Sequence, residues 1–126
     1  MHAADTNILL RIITQDDRRQ VIAAEAFIEN GAWVSILSLA EAIWTLKTVF
    51  QRSAANLIAT IETLLTHEKL VLEDSDVVAA ALDLFRSRPS LGFSDCLLLE
   101  LARKAGHLPL GTFDRDLAKV AGTRKL

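Results

Sequence analysis

The chain has 126 residues, and its 14 basic and 16 acidic side chains give a formal net charge of −2 at pH 7. Hydrophobic residues make up 51% of the sequence and charged residues 24%, which is typical of globular domains and excludes disordered, collagenous and coiled-coil proteins. This charge also excludes a strongly basic nucleic-acid-binding domain, so any contact with a polyanion must be local.

The length and the start of the chain predict one domain in the cytoplasm. A chain of this length fits a single buried core, and we expect one domain over residues 1–126. The longest stretch without a charged side chain, residues 30–40, is far shorter than the roughly 20 apolar residues of a membrane helix. The first five residues show no secretory signal, and a single cysteine, Cys96, excludes an internal disulfide.

In the first part of the chain, a short strand is followed by residues at helical spacing. The strand ends about Asp5, and apolar residues then recur at helical spacing from Ile8 to Ile13. A second helix is predicted over about residues 17–29 and stops at Asn30 and Gly31. A buried strand follows from Trp33 and ends near residue 37.

The middle of the chain predicts a helical hairpin. One helix spans residues 38–50, and Ser53 begins the next. Trp44 and Val49 lie off the apolar stripe of the first helix. They form a second apolar surface that packs either within the domain or against another copy of the chain.

The second half continues the alternation of strands and helices and predicts an α/β fold. A short strand covers Leu70–Leu72, and two helices are separated by a break at residues 89–92, the second ending at Gly106. A further strand is predicted from His107 to Thr112, then a short helix near Leu117 and a basic tail.

Four acidic residues lie where predicted helices begin, most of them just after a strand. They are Asp5, Glu41, Asp95 and Asp114. Because the carboxyl ends of parallel strands share one edge of a sheet, acids far apart in sequence can converge there. Asp95 differs from the others, since its helix follows another helix. Carboxylates flanked by hydroxyl and amide oxygens suit a hard cation such as Mg²⁺ or Mn²⁺.

Helix capping is the simpler explanation for any one of these acids. Ser38 and Glu41 have the spacing of a capping box, in which the acid bonds the amide of the cap residue. An acid in a first helical turn gains roughly 0.3–1 kcal/mol from the helix dipole. Four such acids together, each with a Ser, Thr or Asn within three positions, favour a functional site.

The ordered set of these motifs resembles the PIN-domain ribonucleases, and most closely the VapC-type toxins of bacterial toxin–antitoxin modules. The resemblance covers nearly the whole chain. Its motifs are Asp5-Thr6-Asn7, Ser38-x-x-Glu41, Phe93-Ser94-Asp95 before a Leu-rich helix, and Thr112-Phe113-Asp114-Arg115.

The resemblance implies a three-layer α/β/α sandwich with a central, mostly parallel sheet of four to five strands. It implies an endoribonuclease that uses Mg²⁺ or Mn²⁺, forms a homodimer and is silenced by a cognate antitoxin. The metal-site acids would be Asp5, Glu41, Asp95 and Asp114, with Asp116 sharing the role of Asp114 or replacing it. Carboxylates or water would be oriented by Thr6, Asn7, Ser38 and Thr112. Arg115, next to Asp114, is the candidate for an RNA contact.

Other functions fit the sequence less well. A catalytically silent module that binds protein or RNA is the main alternative, although all four acids are present. A phosphoryl-transfer receiver domain would need a lysine near Thr112, and a haloacid-dehalogenase-type phosphatase would need an aspartate where Asn7 stands. Cys96, on an apolar helix, is predicted to be a buried core residue.

Overall fold

The computed structural model describes residues 1–126 and contains six α-helices, one 3₁₀ helix and five short strands. Two compact units divide the chain, Met1–Ser75 and Asp76–Leu126. The elements in chain order are β1 (His2–Ala4), α1 (Thr6–Thr14), α2 (Arg18–Ile28), β2 (Ala32–Val34), α3 (Ile36–Thr48), α4 (Ala54–Leu65), β3 (Leu70–Leu72), α5 (Ser75–Ser87), α6 (Phe93–Ala105), β4 (Leu110–Thr112), the 3₁₀ helix (Leu117–Lys119) and β5 (Thr123–Lys125).

The first unit contains a parallel three-stranded sheet in the order β1-β2-β3. The register places Ala4 beside Val34 and Val34 beside Leu72. In β2 and β3 the outer two residues are buried and the middle one is exposed, as the two-residue period of a strand requires. The residues that follow the three strands, Asp5, Ser35 and Glu73, therefore come at the same edge of the sheet.

Each of the four helices in the first unit begins at a side-chain cap. Asp5, Asp17, Ser35 and Ser53 each accept a hydrogen bond from the backbone N–H three residues further on, which satisfies one of the donors left open at a helix start. Helix α1 contacts α2 and α3, and α3 contacts α4, which confirms the predicted hairpin. The fully buried large side chains of these helices are Leu9, Leu39, Leu46, Leu57, Ile61 and Leu64.

The second unit contains most of α5, all of α6 and a parallel pair of strands, β4 and β5. The rings of Phe85 and Phe93 lie 5.8 Å apart at 58°, a tilted arrangement that aromatic pairs favour. Helix α6 ends at Gly106, which has the positive φ that glycine adopts most easily, as predicted. None of the helices in the protein has the length and apolarity needed to cross a membrane.

The expected central sheet of four to five strands is wrong, because the sheet has three strands. Strand β4 pairs instead with β5, which the sequence predicted as a basic tail on account of Arg124 and Lys125. The predicted strand from His107 starts only at Leu110, since Pro109 has no N–H to donate to a strand partner.

The start of α3 also differs from the prediction. The helix begins at Ile36, two residues earlier than expected, because Ser35 and not Ser38 is its cap. Other boundaries are confirmed: β3 covers Leu70–Leu72 and Ser53 caps α4.

Candidate active site

Asp5 connects the first strand to the first helix. Its backbone is extended, with φ −84° and ψ 177°, and its Oδ1 atom accepts a hydrogen bond from the N–H of Ile8 at 3.2 Å. Asp5 is therefore a helix cap, and its carboxylate is exposed at the carboxyl end of β1. The cap uses one oxygen, which leaves Oδ2 available for a ligand.

Glu41 is held by a residue of the first motif. The hydroxyl of Thr6 donates a hydrogen bond of 2.8 Å to Oε2 of Glu41, across 35 positions of sequence. Thr6 is the first residue of α1, and α1 packs against α3, which carries Glu41. The capping-box interpretation of Glu41 is wrong, because α3 is already capped by Ser35. The side chain of Glu41 is thus oriented by tertiary packing, with Oε1 left available.

Ser38 and Asn7 are the other two polar residues predicted for the site in this unit, and neither is bonded to Asp5 or Glu41 in the way that Thr6 is. Ser38 bonds to Ser35 twice, through its N–H at 3.0 Å and through its hydroxyl at 3.1 Å. Asn7 is exposed in the first turn of α1 and lines a groove beside Asp5.

Asp95 lies in the first turn of α6, which begins differently from the helices of the first unit. Its cap residue, Gly92, has no side chain to bond the open N–H groups. A Cβ atom at position 92 would lie 3.4 Å from Oδ2 of Asp95, so the carboxylate is close to the N-terminal end of the helix. A negative charge is favourable at this place because of the helix dipole.

The cysteine that follows Asp95 is fully buried, as predicted. Burial raises the pKa of the Cys96 thiol to about 11, and the negative charge of Asp95 acts in the same direction. The thiol is therefore protonated at neutral pH. It is neither a good nucleophile nor a good metal ligand there, because the thiolate is the form that reacts.

Asp114 is fixed by the backbone of its own loop. The N–H groups of Asp116 and Leu117 donate to Oδ1 of Asp114 at 2.8 and 3.0 Å. Thr112, the last residue of β4, accepts a hydrogen bond of 3.0 Å from the N–H of Asp114 through its hydroxyl. Arg115 is exposed between the two acids.

Asp116 has a partner that the sequence analysis missed. The hydroxyl of Ser90 donates to Oδ2 of Asp116 at 2.7 Å. Ser90 lies in the segment between α5 and α6, for which the sequence predicted only a break between two helices. Asp116 is half-buried, whereas Asp114 is exposed. Asp114 is therefore the more accessible of the two carboxylates.

Glu73 is a further acid that the sequence analysis missed. It follows β3 directly, and its Oε1 accepts a hydrogen bond of 2.9 Å from the N–H of Ile36 at the start of α3. A simple sequence criterion, an acid directly after a buried strand, would have found it. Its contact satisfies another open donor of α3, so the role shown here is structural.

The donor chemistry of the predicted residues fits a hard cation, and these residues are divided between the two units. Thr6 and Glu41 are in contact in the first unit, and Thr112, Asp114 and Asp116 are linked in the second. Within neither unit do three acidic, histidine or cysteine side chains form a group that could hold a metal ion on its own. The available carboxylate oxygens are the ligands that Mg²⁺ and Mn²⁺ prefer.

Comparison with known proteins identifies the family of this chain. The family model described as the PIN domain matches residues 3–123, which include all four acidic motifs. No curated protein and no solved structure matches the chain.

Proposed function

The chain belongs to the PIN domain family, and on this premise we propose that it is a metal-dependent endoribonuclease acting in the cytoplasm as the toxin of a bacterial toxin–antitoxin module. PIN domains are in general nucleases, which supports a hydrolase of nucleic acids. The observation that carries the proposal is the hydrogen bond from Thr6 to Glu41, which joins the first two family motifs. A threonine that orients an exposed carboxylate in this way is an arrangement expected of a metal ligand.

The proposed metal-binding residues are Asp5, Glu41, Asp95 and Asp114, with Asp116 sharing the role of Asp114 or replacing it. When bound, Mg²⁺ or Mn²⁺ supplies Lewis-acid activation of a water molecule and compensates negative charge on the phosphodiester. The chain provides carboxylates that are already oriented, two of them by backbone N–H groups and one by a hydroxyl.

Proton transfer from the attacking water is assigned to one of these four carboxylates. Glu41 is oriented for binding the cation, since its Oε2 accepts the hydroxyl hydrogen of Thr6 and Oε1 is left available. Hydrolysis by water leaves a 5′-phosphate and a 3′-hydroxyl by analogy with the family. Arg115 is proposed to contact a phosphate of the RNA, since it is exposed beside Asp114.

The first experiment compares the wild-type protein with Asp95→Asn, both refolded free of any partner. Each is incubated with total cellular RNA and Mg²⁺, Mn²⁺ or EDTA, and the cut ends are mapped by sequencing. We expect discrete cuts that need metal and are absent in the variant. Intact RNA with both folded proteins would contradict the proposal and favour a silent interaction module.

Toxicity is tested separately in growing cells. Induced expression of the wild-type chain in bacteria should arrest growth, and expression of Asp95→Asn at the same level should not. An active nuclease in vitro that leaves growth unchanged would contradict the toxin role while preserving the enzymatic one.

A homodimer is proposed through the exposed apolar side chains of α3. Leu37 and Trp44 lie two turns apart on one face of the helix and are 69% and 60% exposed, and Val49 just beyond the helix is 68% exposed. The sequence predicted that Trp44 and Val49 pack either within the domain or against another copy of the chain. Because both are exposed in the single chain, we propose the second alternative. Trp44→Glu should give a monomer in sedimentation velocity, whereas Leu98→Glu, at an exposed site on α6, should not.

The antitoxin is proposed to approach the acids with a basic segment. Opposite charges favour such a contact and its specificity. Addition of the cognate antitoxin should stop metal-dependent cleavage, and a variant antitoxin without its basic side chains should not.

A further inference from the structure

A groove lies between α1 and α2 beside Asp5. Its volume is about 550 Å³, within the range of roughly 300–1,000 Å³ that is usual for small-ligand sites. Its lining includes Asp5, Asn7 and Arg11 from the start and body of α1, and Gln20, Ala23 and Phe27 from α2. The α2 residues are spaced by three and four positions, so they form one continuous face of the helix.

The lining combines an apolar surface with groups that recognise base edges. The amides of Asn7 and Gln20 each offer both donors and acceptors, as the edges of nucleobases do. Phe27 is 39% exposed, and because its ring stacks on His2 at 4.9 Å between centroids, only the part of the ring that His2 leaves uncovered is an apolar surface for a ligand. This mixture fits an unpaired base better than an apolar peptide, which would need a row of large hydrophobic contacts.

Arg11 adds a cation whose hydrogen bonding is incomplete. Its side chain is 19% exposed, and Nη1 lies 3.0 Å from Oδ1 of Asp16. Its Nε atom is buried and has no hydrogen-bond partner. Arg11 lines the groove, so its positive charge is near any bound anion, while the Nε atom itself has no exposed surface.

The start of α2 brings further positive charge close to the groove. Arg18 and Arg19 are exposed in the first turn, and Arg19 lies four positions before Ala23. The proposed nuclease function does not use this pair of arginines. Exposed arginines next to a groove of this kind are suited to contact the phosphates of a bound strand.

We propose that the groove between α1 and α2 binds an unpaired nucleotide of the RNA substrate, next to the bond that is cut. The inference rests on the proposed function, because Asp5 is both a lining residue of the groove and a proposed metal ligand. The groove would then contribute to the choice of cleavage sequence through Asn7 and Gln20.

Binding is measured without cleavage, by fluorescence anisotropy of a labelled single-stranded RNA in EDTA. Ala23→Trp fills the groove, and Ala26→Trp is the matched control, since Ala26 is exposed on the same helix but does not line the groove. We expect binding to weaken about 10-fold or more in Ala23→Trp, in line with the loss of a stacked base. Ala26→Trp should bind like the wild type, and circular dichroism checks that both are folded.

A second variant leaves the groove open and changes its recognition. Gln20→Ala should relax the base preference next to the cut, as seen by mapping cleaved ends with Mg²⁺. The fold should be unaffected, because Gln20 bonds within the chain through its backbone N–H, which the variant keeps. The inference would be overturned if Gln20→Ala kept the wild-type base preference and Ala23→Trp bound RNA as tightly as the wild type. Normal RNA binding by Ala23→Trp with loss of antitoxin binding would overturn it too, and would assign the groove to a protein.

The two proposals fail in different ways. A wild-type protein that cuts no RNA with Mg²⁺ or Mn²⁺ contradicts the nuclease, and with it a nucleotide site next to a cut. A wild-type protein that cuts RNA, with Ala23→Trp and Gln20→Ala unchanged in binding and preference, contradicts only the groove.

Discussion

The two units of the chain begin their helices in different ways. In the first unit, Asp5, Asp17, Ser35 and Ser53 each cap a helix with their own side chain. In the second unit, α6 begins at Gly92 with no side-chain cap. The strands differ as well, since β2 and β3 bury two of their three residues and β4 and β5 bury none. Local sequence thus determines the first unit more directly than the second.

This difference affects how the proposed ligands are held. Asp5 is fixed by the same hydrogen bond that starts α1. Asp95 lies in the first turn of α6, and this helix is anchored by its buried side chains, which include Phe93, Cys96 and Leu97. The acid of the first unit thus caps its own helix, whereas the acid of α6 lies on a helix that starts at a glycine.

The largest expected effect is on the cleavage rate, and it distinguishes the role of Asp5 as a helix cap from its proposed role as a metal ligand. Asp5 and Asp17 are matched caps, with bonds of 3.2 and 3.0 Å to the N–H three residues on. Asparagine keeps the accepting oxygen, so Asp5→Asn and Asp17→Asn should both melt like the wild type. Asp5→Asn should lower the cleavage rate at least about 100-fold because a metal ligand loses its charge. Equal activity of the two variants would show that Asp5 is only a cap.

The second prediction tests the burial that holds α6. With the pKa of Cys96 raised to about 11, its thiol should react with iodoacetamide at pH 8 about 100-fold more slowly than an exposed thiol. The same chain in denaturant is the control, and the rate is followed by mass spectrometry. Rapid reaction of the native protein would show that α6 opens readily.

The same thiol predicts a dependence of stability on pH. The folded state keeps Cys96 protonated up to about pH 11, whereas the unfolded thiol ionises near pH 9. Its contribution to stability is therefore complete below pH 9 and declines as the pH rises from about 9 to 11. Cys96→Ala should remove this part of the decline in denaturant titrations.

The third prediction concerns the contact that joins the first two motifs. Thr6→Val keeps the shape of the side chain but removes the hydrogen bond to Glu41, and should lower activity or apparent metal affinity about 10-fold. Thr63→Val is the control, since the Thr63 hydroxyl bonds only the carbonyl of Ala59 on α4. Thr6→Ser should restore most of the activity. A normal metal requirement in Thr6→Val would remove this contact from the mechanism.

The smallest expected effect compares the helix starts directly. Ser53→Ala removes the cap of α4 and should lower the free energy of unfolding by about 1 kcal/mol. Gly92→Ser adds a hydroxyl at the start of α6 and should raise it by roughly a few tenths of a kcal/mol. Urea denaturation measures both. If the free energy of unfolding fell in Ser53→Ala by as much as it rose in Gly92→Ser, a side-chain cap would contribute equally at the two helix starts.

The sequence predicted those elements whose ends carry their own markers. Ser53 and Gly106 mark a helix start and a helix end, and the structure confirms both. The start of α3 was missed because Ser35 and Ser38 both have the chemistry of a cap, and only the fold selects Ser35. Strand β5 was missed because two of its three residues are charged, which is typical of a solvated tail.

For the site, the sequence predicted which residues to consider but not their contacts. The positions of Asp5 and Asp95 at helix starts follow from local patterns. The bonds from Ser90 to Asp116 and from Ile36 to Glu73 join residues 26 and 37 positions apart. No local rule predicts such contacts, because they depend on how distant segments pack.

The hydrogen bond between Asp5 and Ile8 has a consequence for how the chain can change in evolution. A descendant that lost its nuclease activity would be free to vary Glu41, which is exposed and caps no helix. Position 5 would still favour asparagine, serine, threonine or aspartate, since α1 still needs its cap. Inactive relatives of this protein should therefore keep a capping residue at position 5 long after the glutamate has gone.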